Sequence, residues 1–194
     1  MIEIAEAPAP ARPYMPTKAA TEDWCSPPEI VDVVRSIFGG RIDLDPASNP
    51  HSIVAAEREI WLPSWAEGRE VPARVKVGDG IAMTWSGNVF TNPPYGYALD
   101  AFMDRSVRAA KSDESANVIM LAPCKTSRKC WQRTVPKARA VCFLDGRVTF
   151  LLPGGGRASA TFSSALVLWT RDRELLHRFA WYLDDKHGHV VFTR

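Results

Sequence analysis

Asn88-Val89-Phe90-Thr91-Asn92-Pro93-Pro94-Tyr95-Gly96 reads as a short apolar strand that runs directly into a rigid loop. Ala98, Leu99, Phe102, Met103, Ser106, Val107 and Ala110 then trace one face of a helix. Each proline fixes a backbone φ angle and biases the residue before it toward extended geometry, so the loop has few conformations open to it. Strand, tight loop and amphipathic helix in that order make up the building unit of an α/β sheet, with the loop at the carboxyl end of its strand.

Upstream, Ser26-Pro27-Pro28-Glu29 predicts a helix start, with Ser26 as the cap, proline at the first helical position and Glu29 closing a capping box. Ile30, Val33, Val34, Ile37 and Phe38 recur at helical spacing, and Gly39-Gly40 supplies the left-handed backbone that ends such a helix. Arg41-Ile42-Asp43-Leu44-Asp45-Pro46 predicts a strand whose proline throws the chain into a loop at the sheet's carboxyl edge. Open α/β sheets bind ligands at such edges. Between His51 and Gly80 the tryptophans and prolines interrupt every period, and only Val75-Lys76-Val77 reads as extended.

Downstream, Asn117 to Ala122 is a continuous apolar run expected of a strand covered on both faces, and Lys129 to Val135 predicts a helix stopped by Pro136. Ala140 to Leu144 predicts the next strand. Asp145-Gly146 marks a turn, Val148 to Leu152 continues as strand, and Ala165 to Trp169 forms another beyond the glycine run. Asp172 to Leu183 reads as a last amphipathic helix, and His187-Gly188-His189 has no partner cluster in the sequence. Strands alternating with helices, closed by an antiparallel pair, predict an α/β sandwich with a mostly parallel sheet.

Composition sets the outer bounds. With 194 residues, 46% hydrophobic and 24% charged, the sequence has the profile of one globular domain, taken as residues 21–194, preceded by a Pro/Ala-rich arm over residues 1–20. The formal charge of +2 permits an anionic partner without requiring one. Cys25, Cys124, Cys130 and Cys142 form no Cys-x-x-Cys pair and have no His cluster at zinc spacing, so reduced thiols and no metal are expected. There is no long apolar run and no signal-like start, which predicts a cytoplasmic protein with no membrane partner.

The chemistry centres on Asn92-Pro93-Pro94-Tyr95. The Asn92 side-chain carbonyl and the Pro93 backbone carbonyl can together receive both hydrogens of a planar amine, and the Tyr95 ring offers a stacking face to the group that carries it. An amine conjugated to a ring is a poor nucleophile. Acceptors that hold its hydrogens favour a pyramidal nitrogen and stabilise the charge that develops on attack, each worth roughly 2.7–4 kcal/mol by analogy with an oxyanion-hole donor. Asn92 is neutral and removes no proton, so the proton leaves after the new bond has formed. Read alone, the same four residues also fit a proline-rich turn that closes a strand.

From Trp24 to Trp169 the sequence resembles the phage-type DNA N-6-adenine methyltransferases, or Dam-like family. The resemblance rests on Trp24-Cys25-Ser26-Pro27-Pro28, Ile42-Asp43-Leu44-Asp45-Pro46-Ala47-Ser48, Gly78-Asp79-Gly80 with Trp85, and Asn92-Pro93-Pro94-Tyr95. Leu121-Ala122-Pro123-Cys124-Lys125-Thr126 and Gly146-Arg147-Val148-Thr149-Phe150 stand in family-like positions further along. It implies a Rossmann-like class I methyltransferase sheet with helices on both faces and a terminal antiparallel strand, S-adenosylmethionine as cofactor, DNA as partner and a target adenine flipped from the helix. By the same resemblance Asp45, Pro46, Ala47 and Ser48 lie beside the methionine part of the cofactor. Trp24, Ser26 and Pro27 close over it, Asp79 receives its adenine amine, and Gly80 and Asn92 also stand at the cofactor.

In place of the glycine-rich turn common in broader methyltransferase families, Ala47-Ser48-Asn49 follows Asp45. For the ribose only Glu57, Glu59 and Glu67 offer themselves, without a distinguishing feature. Lys125, Arg128, Lys129 and Arg147 are candidates for DNA phosphates, each equally compatible with a solvated basic face. Three functions remain open at this level: a DNA adenine methyltransferase, a methyltransferase of another planar amine such as a protein glutamine or an RNA base, and a catalytically silent nucleic-acid-binding module. The tetrapeptide fixes the amine chemistry better than the acceptor.

Overall fold

The computed structural model describes residues 24–112, 116–153 and 155–193, so the N-terminal arm expected over residues 1–20 lies outside the described residues. The chain enters through α1 (Pro28–Ile37) and then lays down β1 (Leu44–Asp45), β2 (Arg58–Trp61), α2 (Pro63–Ala66), β3 (Val75–Val77) and β4 (Asn88–Thr91). Next come α3 (Ala98–Lys111), β5 (Asn117–Pro123), α4 (Lys129–Thr134), β6 (Ala140–Leu144), β7 (Thr149–Leu151), β8 (Arg157–Ser159), β9 (Ser164–Trp169), α5 (Arg173–Leu183) and β10 (Gly188–Phe192). The main sheet runs in the order β10-β6-β9-β5-β4-β1-β2-β3, and β7 with β8 forms a separate hairpin.

β3, β2, β1, β4 and β5 pair in parallel, whereas β9 is antiparallel to both β5 and β6, and β10 is antiparallel to β6. This is a Rossmann-like sheet, mostly parallel and closed by antiparallel strands. The core shows why the apolar runs of β5 and β9 carry no alternation in sequence. Ile119, Leu121, Leu166 and Leu168 point to one face, where α1 and α5 pack through Val34, Ile37, Phe179 and Leu183. Val118, Met120, Ala122 and Val167 point to the other, under Leu99, Phe102, Met103 and Trp131 of α3 and α4. A strand buried on both faces must be apolar at every position.

The structure changes four sequence expectations. Ser26 does not cap α1. Pro27 occupies the N-cap and no side chain caps the helix, because the serine lies one residue too early and is turned into the protein. The far end behaves as read: Gly39 and Gly40 have φ of +80° and +103°, and their N–H groups reach back to the Ser36 and Arg35 carbonyls. β2 and β10 have no signal in the sequence. The strand over Val148 to Leu152 exists, but it leaves the sheet and pairs with β8. Among the described residues no helix is long and apolar enough to cross a membrane.

Candidate active site

The chain passes from β1 outward through β2 and β3, then returns across the top of the sheet to place β4 on the other side of β1. The carboxyl ends of β1 and β4 therefore flank the topological switch point, where open α/β sheets form their ligand crevice. Asp45 ends β1 and Asn92 comes directly after β4, so the two motifs, far apart in sequence, face one opening. A cleft of about 680 Å³, partly open to solvent, occupies that opening. Of the residues expected at a cofactor, Trp24, Ser26, Asp45, Pro46, Ala47, Ser48, Asp79, Gly80 and Asn92 line it. Pro27 does not: it is the N-cap of α1, where its carbonyl accepts from Ile30 and Val31 N–H.

Three features of the lining point to a polar ligand. Ser26 is only 3% exposed, and its hydroxyl has no hydrogen-bond partner among the described residues. A buried hydroxyl left unpaired costs free energy that a ligand can recover. Asp45 is 4% exposed. Burial pushes its carboxyl up to about 7, helped by Glu59 on the neighbouring strand and opposed by the Ala47 N–H that donates to it at 3.1 Å. Gly80 comes so close to Pro46 that a Cβ there would sit 1.8 Å from the Pro46 carbonyl oxygen. The turn beyond it is held by Asp79, whose Oδ1 accepts from Ile81 N–H at 2.9 Å, while Trp85 Nε1 donates to the Gly80 carbonyl at 2.7 Å.

None of the glutamates considered for a ribose lines this cleft. Glu57 and Glu67 are exposed. Glu59 is 1% exposed and already engaged, accepting from Ser48 Oγ at 3.0 Å and from Arg74 Nε at 3.0 Å. Two polar residues that no sequence pattern marks, Asn49 and Ser52, do line it, together with the apolar Leu62, Trp65 and Phe102.

Asn92 stands between this cleft and an aromatic cluster. Its Nδ2 donates to the Trp24 carbonyl at 3.1 Å, and its Oδ1 accepts from the Tyr95 hydroxyl at 2.7 Å. Both ends of the carboxamide are thus fixed in direction. Burial pushes the Tyr95 phenol up, so it stays protonated and remains a donor. The Tyr95 ring packs edge-on against Phe162 and Phe150, with centroids 5.4 and 6.2 Å away, and Trp24 stacks on Phe150 at 5.2 Å. No sequence pattern marks Phe150 or Phe162 as site residues. They come from the β7–β8 hairpin and the segment after it, and the hairpin also fixes Trp24, because Cys25 and Leu151 exchange backbone hydrogen bonds at 3.0 Å in both directions. The excursion from the sheet therefore brings an aromatic wall to Asn92.

The basic candidates separate into two kinds. Lys125 and Lys129 are exposed. Arg128 is tied to Asp100 at 2.6 Å, and Arg147 donates to the Ala160 carbonyl at 3.1 Å, so both guanidinium groups serve the fold at least in part. Cys130 and Cys142 are buried thiols pushed up to about 11 and about 12, which keeps them protonated and unreactive.

The model of the DNA N-6-adenine-methyltransferase (Dam) family matches residues 76–181, a span that runs from β3 into α5 and includes the Asn92 loop. Among solved structures, protein 1320 of Thermoplasma acidophilum aligns at 17% identity over 74% of this chain and 83% of its own, with a TM-score of 0.43. Precorrin-6y C5,15-methyltransferase from Geobacter metallireducens aligns at 13% identity over 78% of this chain and 96% of its own, with a TM-score of 0.42. No curated protein sequence matches.

Proposed function

The chain belongs to the DNA N-6-adenine-methyltransferase (Dam) family and is a methyltransferase; on that premise we propose that it transfers a methyl group from S-adenosylmethionine to N6 of adenine in DNA, with the target base extruded into the aromatic cluster. The observation that carries this reading is the position of Asn92, which lines the polar cleft at the β1 end while its carboxamide bonds the Trp24 carbonyl and the Tyr95 hydroxyl of the aromatic cluster. Ligand and acceptor would thus approach one amide from two sides.

The cleft suits the cofactor on its own chemistry. The Ser26 hydroxyl offers an unused hydrogen bond, and Asp45 offers a carboxyl whose ionisation a cation would favour. The Gly80 approach to Pro46 draws the Asp79 turn against the β1 loop, so that Asp79 and Ala47-Ser48 stand along one wall. When bound, S-adenosylmethionine supplies a methyl group on a positively charged sulfonium, an electrophile for the amine. Asn92 Oδ1 and the Pro93 carbonyl would hold the two hydrogens of N6, directing its lone pair toward the cleft and stabilising the charge that appears on nitrogen. The Asn92 carboxamide is too weak a base to take a proton, so the methylated amine sheds its proton to water. Extrusion of the base costs a few kcal/mol, which stacking on Tyr95 would offset. Lys125 and Lys129 are the candidates for phosphate contacts, with Arg128 and Arg147 in supporting positions.

The test is direct. Purified protein is incubated with methyl-labelled S-adenosylmethionine and DNA, and the DNA is digested to nucleosides. Label should co-migrate with N6-methyladenine, and Asn92→Ala should lower it by about 10²-fold or more, the scale of one lost transition-state hydrogen bond. Label in protein or RNA but not in DNA overturns the reading.

A further inference from the structure

Tyr97 is 95% exposed, whereas Tyr95, two residues before it, is folded into the aromatic cluster. Tyr97 stands directly before α3 with helical backbone angles, φ −66° and ψ −29°, and its side chain makes no capping hydrogen bond. At that exposure the ring buries almost none of its surface in the fold. Its mount is rigid, because Ala98, Leu99, Phe102 and Met103 behind it are buried in the core.

The neighbouring loop, residues 124–128, with Lys129 opening α4 directly after it, is fastened to this same end of α3. Arg128 reaches Asp100 at 2.6 Å, and Asp100 lies three residues after Tyr97, about one helical turn on. Gln132 Nε2 donates to the Thr126 carbonyl at 2.7 Å, and Cys124 N–H to the Ser163 carbonyl at 2.8 Å. The pinned loop leaves Lys125 and Lys129 exposed. An exposed aromatic ring that follows the Asn92 loop, with a segment carrying exposed cations tied to the same end of α3, is an arrangement suited to a nucleic acid.

We infer that Tyr97 is a wedge: when the target adenine leaves a DNA duplex for the Tyr95 ring, the Tyr97 ring enters the stack and fills the gap, while Lys125 and Lys129 hold the flanking phosphates. The inference rests on the reading of adenine in DNA as the acceptor. A vacated base position exposes two unstacked base faces to water, and an inserted apolar side chain recovers part of that loss. The wedge has a task only where there is a duplex to open.

The experiment compares methyl transfer to an oligonucleotide that is a substrate of the unaltered protein, presented as a matched duplex, as a single strand, and as a duplex with the target adenine opposite an abasic site. Tyr97→Ala should lower kcat/KM on the matched duplex by about 5- to 150-fold, the range of one base–ring stack, and change it by less than about twofold on the single strand. The abasic duplex, already weakened at the target, should show a smaller loss than the matched one. Tyr97→Trp should restore transfer to the matched duplex, and cofactor affinity should be the same in all three proteins. Equal losses on single strand and duplex, or no loss on the duplex, overturn the wedge while leaving the methyltransferase reading intact. Transfer to single strands alone by the unaltered protein does the same. No transfer to DNA in any form overturns both.

Discussion

The Asn92 carbonyl that should receive an adenine amine already accepts one hydrogen bond, from the Tyr95 hydroxyl at 2.7 Å. An amide oxygen carries two lone pairs, so the amine can use the second and does not depend on the phenol, while the ring offers the base its stacking face. Removing the hydroxyl alone should therefore cost little. Tyr95→Phe is expected to keep methylation within about threefold of the unaltered protein, and Tyr95→Ala to lose about 5- to 150-fold, both read as kcat/KM on DNA. Equal losses in the two variants would mean that the hydroxyl, not the ring, carries the function. Asp45 yields a pH prediction. Its folded-state pKa is raised from 3.8 to about 7, so between those values the folded protein holds a proton that the unfolded chain has released. Stability from this group is fully present below about pH 4 and is lost as the pH rises through about 7. Asp45→Asn should thus melt higher than the unaltered protein at pH 8, with the difference fading toward pH 4. A cationic ligand favours the carboxylate, so cofactor affinity should rise as the pH passes 7. A melting difference independent of pH would show that the carboxyl is not the source.

At the scale of elements, two close approaches shape the site, and neither can be read from sequence. The β7–β8 hairpin grips Cys25 and thereby presents the Trp24 carbonyl to Asn92. A backbone carbonyl reached through a hairpin more than a hundred residues away leaves no pattern in the chain. The second is Gly80 on Pro46. Gly78-Asp79-Gly80 has the look of an ordinary turn, and the reason Gly80 is needed is the 1.8 Å that a Cβ would leave to the Pro46 carbonyl. Gly80→Ala must push the two cofactor loops apart. A stability loss of about 1–3 kcal/mol, the usual cost of overpacking, is expected in thermal melts, with at least about tenfold weaker cofactor binding by calorimetry. Undiminished affinity would show that the loops can separate without consequence. The strands without a sequence signal have equally local causes. β2 places Glu59 in the interior, where Ser48 and Arg74 satisfy it, so a charged residue breaks the apolar signature of a central strand. β10 is an edge strand with only Val190 buried, which leaves nothing to alternate. α1, β4, α3, β5 and α5 are legible because each buries a continuous stripe or both faces, the condition under which hydrophobic period and structure must agree.

For the molecule as a whole, the parallel order can be anticipated from alternating strands and helices, but the insertion of β9 between β5 and β6 cannot. Apolar runs specify burial, not neighbours, and β9 would bury as well at an edge covered by α5. The functional consequence of this architecture is that the described residues offer few surfaces to read DNA. The carboxyl edge of the sheet carries the cofactor loops, the Asn92 loop, the pinned Lys125 loop and the β7–β8 hairpin. In the proposed function the first two serve cofactor and amine, and the hairpin turns Phe150 inward onto Trp24 and Tyr95. Phosphate contacts by Lys125 and Lys129 position a duplex but carry no sequence information. Major-groove discrimination requires side chains that reach base edges, each good pair being worth about 1–3 kcal/mol, and the described residues offer few surfaces to mount them. The 194-residue chain should therefore methylate adenines in a short or lax sequence context. Mapping N6-methyladenine along a long unmethylated DNA treated with the purified protein checks this: sites sharing only the few bases next to the adenine are expected. A single recognition sequence of about six base pairs or more would require a reading surface that these loops do not provide.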